Sequence, residues 1–391
     1  MTARGNGSAG RPSLLAVAAL PVWQMRDGFS LRVANLLRGL AREWRVTLIA
    51  PLDEAVPADP AALGLERLVP VSPEAARHSP RWDVDAEAFR KAVDAALADA
   101  RPDAALVWGG AEFAALGRRD FPPVVLDRID CMALAAWREL GLPQPLRHRA
   151  SVLRGLLYQL RRERRFVRAF AACVVAAPKD AAVLRRISGR DTVHVVPNGV
   201  EIQSLRIPAD EAPGPTVAFT GVMAFPPNVD AVHYFVKSVW PAVRASVPDA
   251  RFVIAGRHPT PEVARLAEAP GVEVLGEVPD MTAVLRRAWV AVAPMRTGAG
   301  IKNKVLEAWA VGTPVVMSPA AANGLSLDPA AAALVEEEPA RMAEVVARLL
   351  RDTAERRRLG AAAHAFALEH AWEDAAREVS RLLRTASGRP A

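Results

Sequence analysis

The chain has 391 residues, of which 51% are hydrophobic and 24% are charged, so it can form two folded domains and is unlike a disordered protein. Its formal net charge of +7 favours anionic partners such as nucleotides, phospholipid surfaces or nucleic acid. No apolar run reaches the roughly 18 residues that span a bilayer. Cys131 and Cys173 lack the spacing of a metal site, so we expect two reduced core thiols.

The first ordered segment is predicted to be a βαβ unit. Residues 1–12 are rich in Gly, Ser and Arg and are expected to be a disordered leader. A strand over 14–22 and a strand over 46–50 flank apolar residues at helical spacing, namely Leu31, Val33, Leu36, Leu37 and Leu40. Gly28 lies in the loop after the first strand and either binds a ligand or makes a tight turn. In the second case Arg32 would be a surface residue of the helix.

Two aspartates follow a later strand. Residues 51–85 are proline-rich and give no clear pattern, whereas a helix is predicted over 86–99 and strands over 104–108 and 124–126. Asp127 and Asp130 come directly after the last of these strands. Carboxylates at the carboxyl end of a strand can bind substrate hydroxyls or act as a base, and they can equally cap the next helix.

A basic amphipathic helix is predicted over 146–170. It contains the arginines Arg147, Arg149, Arg154, Arg161, Arg162, Arg164, Arg165 and Arg168. Its apolar residues at near-helical spacing are Leu153, Leu156, Leu157, Leu160 and Phe166. The helix either docks on anionic lipid or packs on its own domain with the arginines in solvent. Nucleic acid is the weakest partner class, because no basic stretch has the interleaved aromatic residues of a stacking platform.

A proline-rich boundary separates the two halves of the chain. Strands over 172–176 and 193–196 flank a short helix over 179–187, and the second strand leads into Pro197-Asn198-Gly199-Val200. We expect Asn198 and Gly199 to form a turn. Residues 204–215 contain prolines and acidic residues and are predicted to be a linker.

The second half repeats the alternation of strands and helices. Its predicted strands are 217–220, 252–255, 272–275, 289–293 and 315–317. Its predicted helices are 229–243, 340–351, 353–369 and an amphipathic last helix that begins at Trp372. This alternation favours an α/β fold with parallel sheets.

The stretch from 289 to 317 carries the most specific pattern. A strand stops at Pro294, a loop contains Arg296, Gly298 and Gly300, and a helix begins near Ile301 with Lys302, Asn303 and Lys304 in its first turn. The glycines allow close approach of a ligand, and the helix start offers unpaired amides. Glu307 lies three residues after Lys304, on the same helix face. Cations around a helix N-terminus with one carboxylate a turn further suit a nucleoside diphosphate, with Glu307 accepting hydrogen bonds from ribose hydroxyls.

Residues 298–316 read GxGxKxKxLEAxAxGxPVV, which resembles the donor-site signature of retaining GT-B glycosyltransferases of the group 1, or family 4, type. The resemblance is strongest to the bacterial exopolysaccharide-type sugar transferases. It covers most of the second half tightly and the first half only loosely. It implies an α/β fold of two Rossmann-like domains facing a cleft, with the C-terminal helix crossing back to the N-terminal domain.

The resemblance also implies domain limits. It places an N-terminal, acceptor-side domain at 1–203, a linker at 204–215, a nucleotide-sugar donor domain at 216–369 and the returning helix at 370–391. In this fold the PNGV segment marks the end of the first domain, and Trp372 stands where relatives have a tryptophan at the crossing.

Carried over to this chain, the family pattern assigns Glu307 to the ribose and Lys304 to the diphosphate. Many relatives have a second glutamate eight residues before Glu307, where this chain has Ala299, so the donor sugar is not specified. Many also have an arginine and a lysine after the glycine at Gly221. Here those places read Val222 and Pro226-Pro227-Asn228, so we expect Arg296, Lys302 and Lys304 to supply the charge.

The candidate site residues fall into two groups. The candidate catalytic residues are Lys304, Lys302, Arg296, Asp127 and Asp130. The candidate donor-binding residues are Glu307, Gly298, Gly300, Ile301, Asn303, Gly28, Asn198, Gly221, Asn228, Arg257 and Val278, with Arg257 and Val278 near the nucleobase. No metal ligand and no cofactor are expected beyond the nucleotide diphosphate sugar itself.

The function implied is transfer of a sugar from a nucleotide diphosphate sugar to an acceptor hydroxyl with retention, in polysaccharide or natural-product biosynthesis. The acceptor is a glycan, a lipid-linked sugar or a small molecule. The alternatives are a GT-B nucleotide-sugar epimerase and a non-catalytic nucleotide-sugar-binding protein. We expect a cytoplasmic protein, with peripheral contact at the inner face of the membrane if the basic helix docks there. No P-loop, HExxH, GxSxG or GxGxxG after a strand competes with this interpretation.

Overall fold

A computed structural model describes residues 10–23, 28–52, 59–72, 86–99, 101–116, 118, 120–141, 146–201, 210–297, 302–325, 327, 331 and 334–389. Several sequence-based expectations lie outside these residues. They are most of the leader over 1–12, the first part of the linker over 204–215, and the loop residues Gly298, Gly300 and Ile301.

The first half of the chain builds a parallel sheet of seven strands among the described residues. The strands are β1 (Ser13–Val17), β2 (Arg45–Pro51), β3 (Arg67–Val71), β4 (Ala104–Trp108), β5 (Val124–Ile129), β6 (Ala172–Val175) and β7 (Val193–Val195). Their order is β3-β2-β1-β4-β5-β6-β7. The order reverses between β1 and β4, so the carboxyl ends of these two strands flank a crevice of the kind in which α/β folds bind ligands.

Helices cover both faces of this sheet. They are α1 (Gly28–Leu40), α2 (Ala86–Asp99), α3 (Glu112–Ala115), α4 (Met132–Leu140), α5 (Leu146–Ala169) and α6 (Pro178–Ser188). Successive residues of β1 point to opposite faces. Leu14 joins the apolar cluster under α1, whereas Leu15 joins the cluster that contains Phe89 of α2 and Phe166 of α5. This double burial explains why the strand is apolar throughout.

The second half builds a parallel sheet of five strands among the described residues. The strands are β8 (Thr216–Thr220), β9 (Arg251–Ala255), β10 (Val272–Gly276), β11 (Val290–Ala293) and β12 (Val315–Met317), in the order β10-β9-β8-β11-β12. The helices are α7 (Pro226–Tyr234), α8 (Trp240–Ser246), α9 (Pro261–Arg265), α10 (Met281–Arg287), α11 (Asn303–Ala310), α12 (Pro339–Arg351) and α13 (Thr353–Leu368). The order reverses between β8 and β11, which makes that pair the second ligand-binding crevice.

The last helix, α14 (Trp372–Ala386), leaves the second half and packs on α1 of the first. A Cβ added at Gly39 of α1 would lie 2.3 Å from the Cβ of Ala376, so only glycine allows this approach. The Trp44 indole N–H donates to Ser380 Oγ at 2.9 Å. Apolar packing and a buried hydrogen bond therefore join the end of the chain to the first sheet.

The fold class predicted from the sequence is confirmed, and several elements differ in detail. The predicted helix over 229–243 is interrupted by a π-helical turn at Phe235–Val239, because Pro241 has no amide hydrogen to continue the helical series. The predicted strand 124–126 continues to Ile129. Strand β3 and helices α3, α4, α9 and α10 were not predicted. No helix in the described part of the chain is long and apolar enough to cross a membrane.

Candidate active site

Lys304 lies in the crevice between β8 and β11. It is in the first turn of α11, and its ammonium donates to Asn228 Oδ1 at 2.8 Å. The same ammonium lies 3.8 Å from the ring centroid of Phe219 on β8, which is a cation–π contact. Asn228 is held in turn by the Val222 carbonyl, to which its Nδ2 donates at 2.9 Å. The cation is thus fixed at the carboxyl end of the central strand of the second sheet.

A glycine makes room for this arrangement. Gly221 has φ +151°, and a Cβ there would lie 2.7 Å from Asn228 Nδ2 and 3.0 Å from Lys304 Nζ. Gly256, after β9, has φ +153°, and its Cβ would lie 1.6 Å from the Gly221 carbonyl oxygen. Side chains at either position would displace Asn228 or push the two loops apart.

The electrostatics of Lys304 and Glu307 are coupled. Burial lowers the pKa of Lys304 to about 7, Glu307 opposes this shift and Lys302 adds to it. Burial raises the pKa of Glu307, and Lys304 opposes that rise. Both groups are therefore held in an environment that disfavours charge, and an anionic ligand would restore the charge of Lys304.

Arg296 is engaged elsewhere. Its guanidinium forms a two-point ion pair with Asp230 of α7, with Nε 2.9 Å from Oδ2. Its Cζ also lies 5.2 Å from the Tyr234 ring centroid, and half of the side chain is exposed. In this structure the charge expected at the helix start is thus neutralised by a carboxylate.

Arg257 and Val278 follow β9 and β10 at the same edge of the sheet. The Met223 amide donates to the Arg257 carbonyl at 2.9 Å, so the loops after β8 and β9 are tied together. Val278 is half-buried in the loop before α10.

The two halves of the molecule meet at Asn303, the first residue of α11. Asn198 donates from Nδ2 to Asn303 Oδ1 at 2.7 Å. Gly28, at the start of α1, faces the same residue, since a Cβ there would lie 3.5 Å from Asn303 Nδ2. The turn predicted at Asn198 and Gly199 is wrong, because these residues form no turn in the structure. Asn198 is instead a direct bridge between the two sides of the cleft.

A fully buried arginine supports this bridge. Arg32 donates from Nη1 to Asn198 Oδ1 at 2.7 Å and from Nε to Asp127 Oδ2 at 2.8 Å. Both Arg32 and Asp127 have 0% exposure. The surface position considered for Arg32 is wrong, because it points into the domain from α1. It shares a helix face with Leu36, which is the one signal in the sequence that could have revealed it.

Asp127 does not line the cleft. It lies within β5, and its second oxygen accepts the Ile129 amide at 3.1 Å. Both carboxylate oxygens accept internal hydrogen bonds, and the side chain is fully buried, so a substrate in the cleft does not reach it. Ile129 has φ +64° and follows a break in the register with β6, so the chain turns sharply before Asp130.

Asp130 faces the second half instead. Burial raises its pKa to about 6, and the nearby Lys302 opposes this effect. Burial also lowers the pKa of Lys302, which Asp130 and Asp180 oppose and Arg138 reinforces. Asp130 of the first half and Lys302 of the second half are thus electrostatic partners across the cleft. Sequence reasoning missed Asp180, which lies in the first turn of α6.

The suggestion that Asp127 or Asp130 caps the following helix is also wrong. The amides at the start of α4 donate to other carboxylates. The Cys131 amide donates to Asp180 at 2.8 Å, and the Met132 amide donates to Glu163 at 2.7 Å. The carboxylates that accept from the first amides of α4 therefore come from α6 and α5, and not from Asp130.

Comparisons with known proteins show what the chain resembles. Residues 214–352 match the family model described as "Glycosyl transferases group 1". No curated protein matches the chain by sequence.

Solved structures resemble the chain over nearly its whole length. HepE of Anabaena, in complex with UDP and glucose, has a TM-score of 0.68 at 13% identity, covering 96% of this chain and all of that one. WaaG, a glycosyltransferase involved in lipopolysaccharide biosynthesis, has a TM-score of 0.67 at 15% identity, covering 95% and 99%. The glycosyltransferase of kitacinnamycin has a TM-score of 0.53 at 20% identity, covering 95% and 100%. The chain has the GT-B fold, and residues 214–352 of its second half match the group 1 glycosyltransferase family model.

Proposed function

We propose that this protein is a glycosyltransferase that moves a sugar from a nucleotide diphosphate sugar to an acceptor hydroxyl. The observation that carries the proposal is Lys304, a half-buried lysine held by Asn228 and Phe219 where the strand order of the second sheet reverses. It lies at the N-terminus of α11, inside the segment that matches the group 1 family. Such a group binds an anion without needing a metal ion.

In this proposal the donor lies along the carboxyl edge of the second sheet. Lys304 and the α11 N-terminus take the diphosphate, and Glu307 accepts hydrogen bonds from the ribose. The nucleobase lies against the loops that contain Arg257 and Val278. Structures of HepE contain UDP, UDP with glucose, or UDP-glucose, so uridine nucleotides are the first donors to test.

The proposed chemistry is driven by the leaving group. Lys304 takes up a proton from solvent when the diphosphate binds. The resulting ammonium then stabilises the negative charge that develops on the leaving diphosphate, which lowers the barrier for cleavage of the sugar–phosphate bond. The departing phosphate oxygen accepts the proton of the acceptor hydroxyl on the same face of the sugar, which retains the anomeric configuration. A product with inverted anomeric configuration, identified from the anomeric proton coupling in its NMR spectrum, would exclude this route. Full activity in a chelator is expected, since the cations replace a metal ion.

The acceptor lies against the first half of the molecule. Asp130 is the carboxylate that faces the cleft from this side, and we propose that it accepts a hydrogen bond from the acceptor. The charge of Lys302, in the second half, favours the ionised form of Asp130. The acceptor is a glycan, a lipid-linked sugar or a small molecule, and the reaction takes place in the cytoplasm or at the inner face of the membrane.

The test is the thermal midpoint of the full chain with a panel of nucleotide diphosphate sugars. A ligand at a hundredfold excess over its Kd stabilises the folded state by about 2.7 kcal/mol. We expect a rise with one donor that is lost in Lys304→Ala and in Glu307→Gln. The matched controls are Lys237→Ala and Glu262→Gln, whose side chains are exposed. No rise with any nucleotide would overturn the proposal in favour of a protein that only shares the fold.

Two other functions are separated by one incubation. A nucleotide-sugar epimerase changes the donor when no acceptor is present, whereas a transferase leaves the sugar unchanged or hydrolyses it slowly. A non-catalytic binding protein shows the midpoint rise and no product with any acceptor. Sugar analysis after incubation with the donor alone distinguishes the epimerase.

A further inference from the structure

The outer face of the α4–α5 helix pair concentrates exposed apolar side chains. Four of the seven large hydrophobic residues exposed in the described part of the chain lie there. They are Trp137 at 66% exposure, Leu157 at 50%, Leu153 at 48% and Tyr158 at 41%. We call this surface the docking face. Leu153 and Leu157 are one turn apart, so they form a continuous ridge.

The same face carries the positive charge of the protein. Helix α5 has eight arginines and a single carboxylate, Glu163, and this excess equals the net charge of +7 of the whole chain. The rest of the chain is therefore close to neutral. The exposed arginines that surround the apolar ridge are Arg147, Arg149, Arg154, Arg161, Arg164 and Arg165. None of them is paired with a carboxylate within the described residues, whereas exposed arginines such as Arg377 and Arg381 are paired.

The inner face of α5 fixes the orientation of the docking face. Phe166 is buried and its ring centroid lies 5.3 Å from that of Phe113. Glu163 is fully buried, where it accepts from the Met132 amide and from the Arg128 guanidinium. Because this side of α5 packs against the protein, the arginines and the apolar ridge are held outward. If the helix only packed one face on its own domain and left the arginines in solvent, the exposed side chains of Trp137, Leu153 and Leu157 would have no function.

We propose that the docking face binds an anionic phospholipid bilayer. The arginines complement the phosphate groups, and Trp137, Tyr158 and the leucine ridge enter the interface between headgroups and acyl chains. Tryptophan and tyrosine are suited to this depth, since each has an apolar body and a polar edge. The charge decides among the occupants, because a second copy of the chain would bring the same unpaired arginines against each other.

The position of the face deepens the proposed function. α4 begins two residues after Asp130, and Glu163 of α5 holds the first turn of α4. A docked bilayer would therefore lie beside the acceptor half of the cleft. This step rests on the proposed transferase, and it assigns a lipid-linked acceptor in preference to a soluble one.

The experiment is flotation of the full chain with vesicles, in the absence of nucleotide. Vesicles containing about one third phosphatidylglycerol in phosphatidylcholine are expected to bind the protein at least roughly tenfold more tightly than pure phosphatidylcholine. Binding should weaken as salt rises from about 0.05 M to about 0.5 M, because the arginine contribution is screened.

Two variants divide the proposal into its charged and apolar parts. Arg161→Gln/Arg164→Gln/Arg165→Gln is expected to lose roughly tenfold or more in binding to anionic vesicles. Its matched control, Arg265→Gln/Arg357→Gln/Arg358→Gln, removes the same charge from exposed positions elsewhere and should bind as the wild type does. Trp137→Ala/Leu157→Ala should weaken binding severalfold even at low salt, while Leu275→Ala/Leu368→Ala should not. Unchanged thermal midpoints and nucleotide responses would show that each variant folds.

Several results would overturn the proposal. They are equal binding to neutral and anionic vesicles, equal binding by the arginine variant and its control, and a lipid-free dimer that the docking-face variants abolish. Binding to RNA that depends on these arginines, without vesicle binding, would assign the face to nucleic acid. Since no donor is present, failure here leaves the proposed transfer reaction standing. If vesicles bind as expected, radiolabelled sugar from the identified donor should enter the lipid phase of a membrane extract.

Discussion

The two sides of the cleft are built from contacts of different reach along the chain. On the donor side, Lys304 and Glu307 share one turn of α11, and the longest hydrogen bond to Lys304 spans 76 positions. On the acceptor side, Arg32 reaches Asp127 across 95 positions and Asn198 across 166, and Asn198 reaches Asn303 across 105.

This difference in contact range predicts that the donor side mainly determines the reaction and the acceptor side mainly determines stability. A local motif places the donor-side cation once one βαβ unit has formed, and the environment of Lys304 disfavours its charge. The acceptor side requires several distant segments at once. Its buried ion pair joins Arg32 Nε to Asp127 Oδ2 at 2.8 Å, while Arg32 Nη2 has no hydrogen-bond partner among the described residues. Substitutions on the donor side should therefore alter the reaction with little loss of stability, and those in the Arg32 network should do the reverse.

The largest effect on stability is expected for Arg32→Met. The variant leaves Asp127 buried without its cation, which typically costs about 3–5 kcal/mol of the free energy of unfolding. Denaturant unfolding measures this. Arg32→Met/Asp127→Leu should recover most of the loss, because the uncompensated charge is gone. The control is Arg42→Met, which removes one partner of an exposed pair with Glu373 and should cost under about 1 kcal/mol. Equal losses in Arg32→Met and Arg42→Met would contradict the comparison.

Lys304→Ala should lower kcat/KM for the donor by roughly 100- to 1,000-fold, the usual result of removing one group that stabilises a developing anion. The free energy of unfolding should not fall, because burial already disfavours this cation. Lys237→Ala serves as the control for both measurements. A large loss of stability in Lys304→Ala would show that the donor side contributes as much to the free energy of unfolding as the acceptor side does.

Lys304 also predicts a pH dependence of nucleotide binding. Its pKa of about 7 leaves it mostly neutral at pH 8, and a bound diphosphate raises that pKa. Binding at about pH 8 should therefore take up close to one proton, and binding at about pH 6 almost none. Affinity should fall as the pH rises above 7. Calorimetry in buffers of different ionisation enthalpy counts the protons, and Lys304→Ala should show no such uptake.

Asp130→Asn should raise the acceptor KM by about tenfold, the cost of a weakened hydrogen bond to a charged group. The pKa of about 6 means that the carboxylate is ionised above pH 6 and protonated below it. The wild-type acceptor KM should therefore rise as the pH falls through 6, and the variant should lack this change. The donor-induced midpoint should be the same in both proteins. A lost donor response would move Asp130 to the donor side.

The smallest effect is expected for Arg296→Gln. Because Arg296 is paired with Asp230 and half-exposed, its loss should change donor affinity by under about fivefold. A hundredfold loss would show that Arg296 leaves Asp230 to contact the diphosphate, as the sequence pattern suggested.

The sequence predicted the fold class and the position of Lys304 and Glu307 on one helix because these signals are local. A strand, a glycine loop and a helix with Lys304 and Glu307 are readable within 30 residues, and apolar runs marked most strands. The hydrogen bonds of Arg32 and Asp180 could not be predicted, because their partners are distant in the chain and no nearby residue indicates them. Asp127 shows the limit most clearly. Its place after an apolar strand suggested a cleft residue, yet the strand runs two residues further and buries it.

The C-terminal helix has a consequence for synthesis of the protein. Trp372, Val379 and Leu383 complete the apolar cluster over α1, although all seven strands of that sheet are translated earlier. The ribosome must finish the second domain before it supplies this cover, so the half that is made first is the half that is completed last. Until then α1 exposes its apolar surface, which makes the nascent chain a substrate for chaperones over the interval in which residues 216–371 are made.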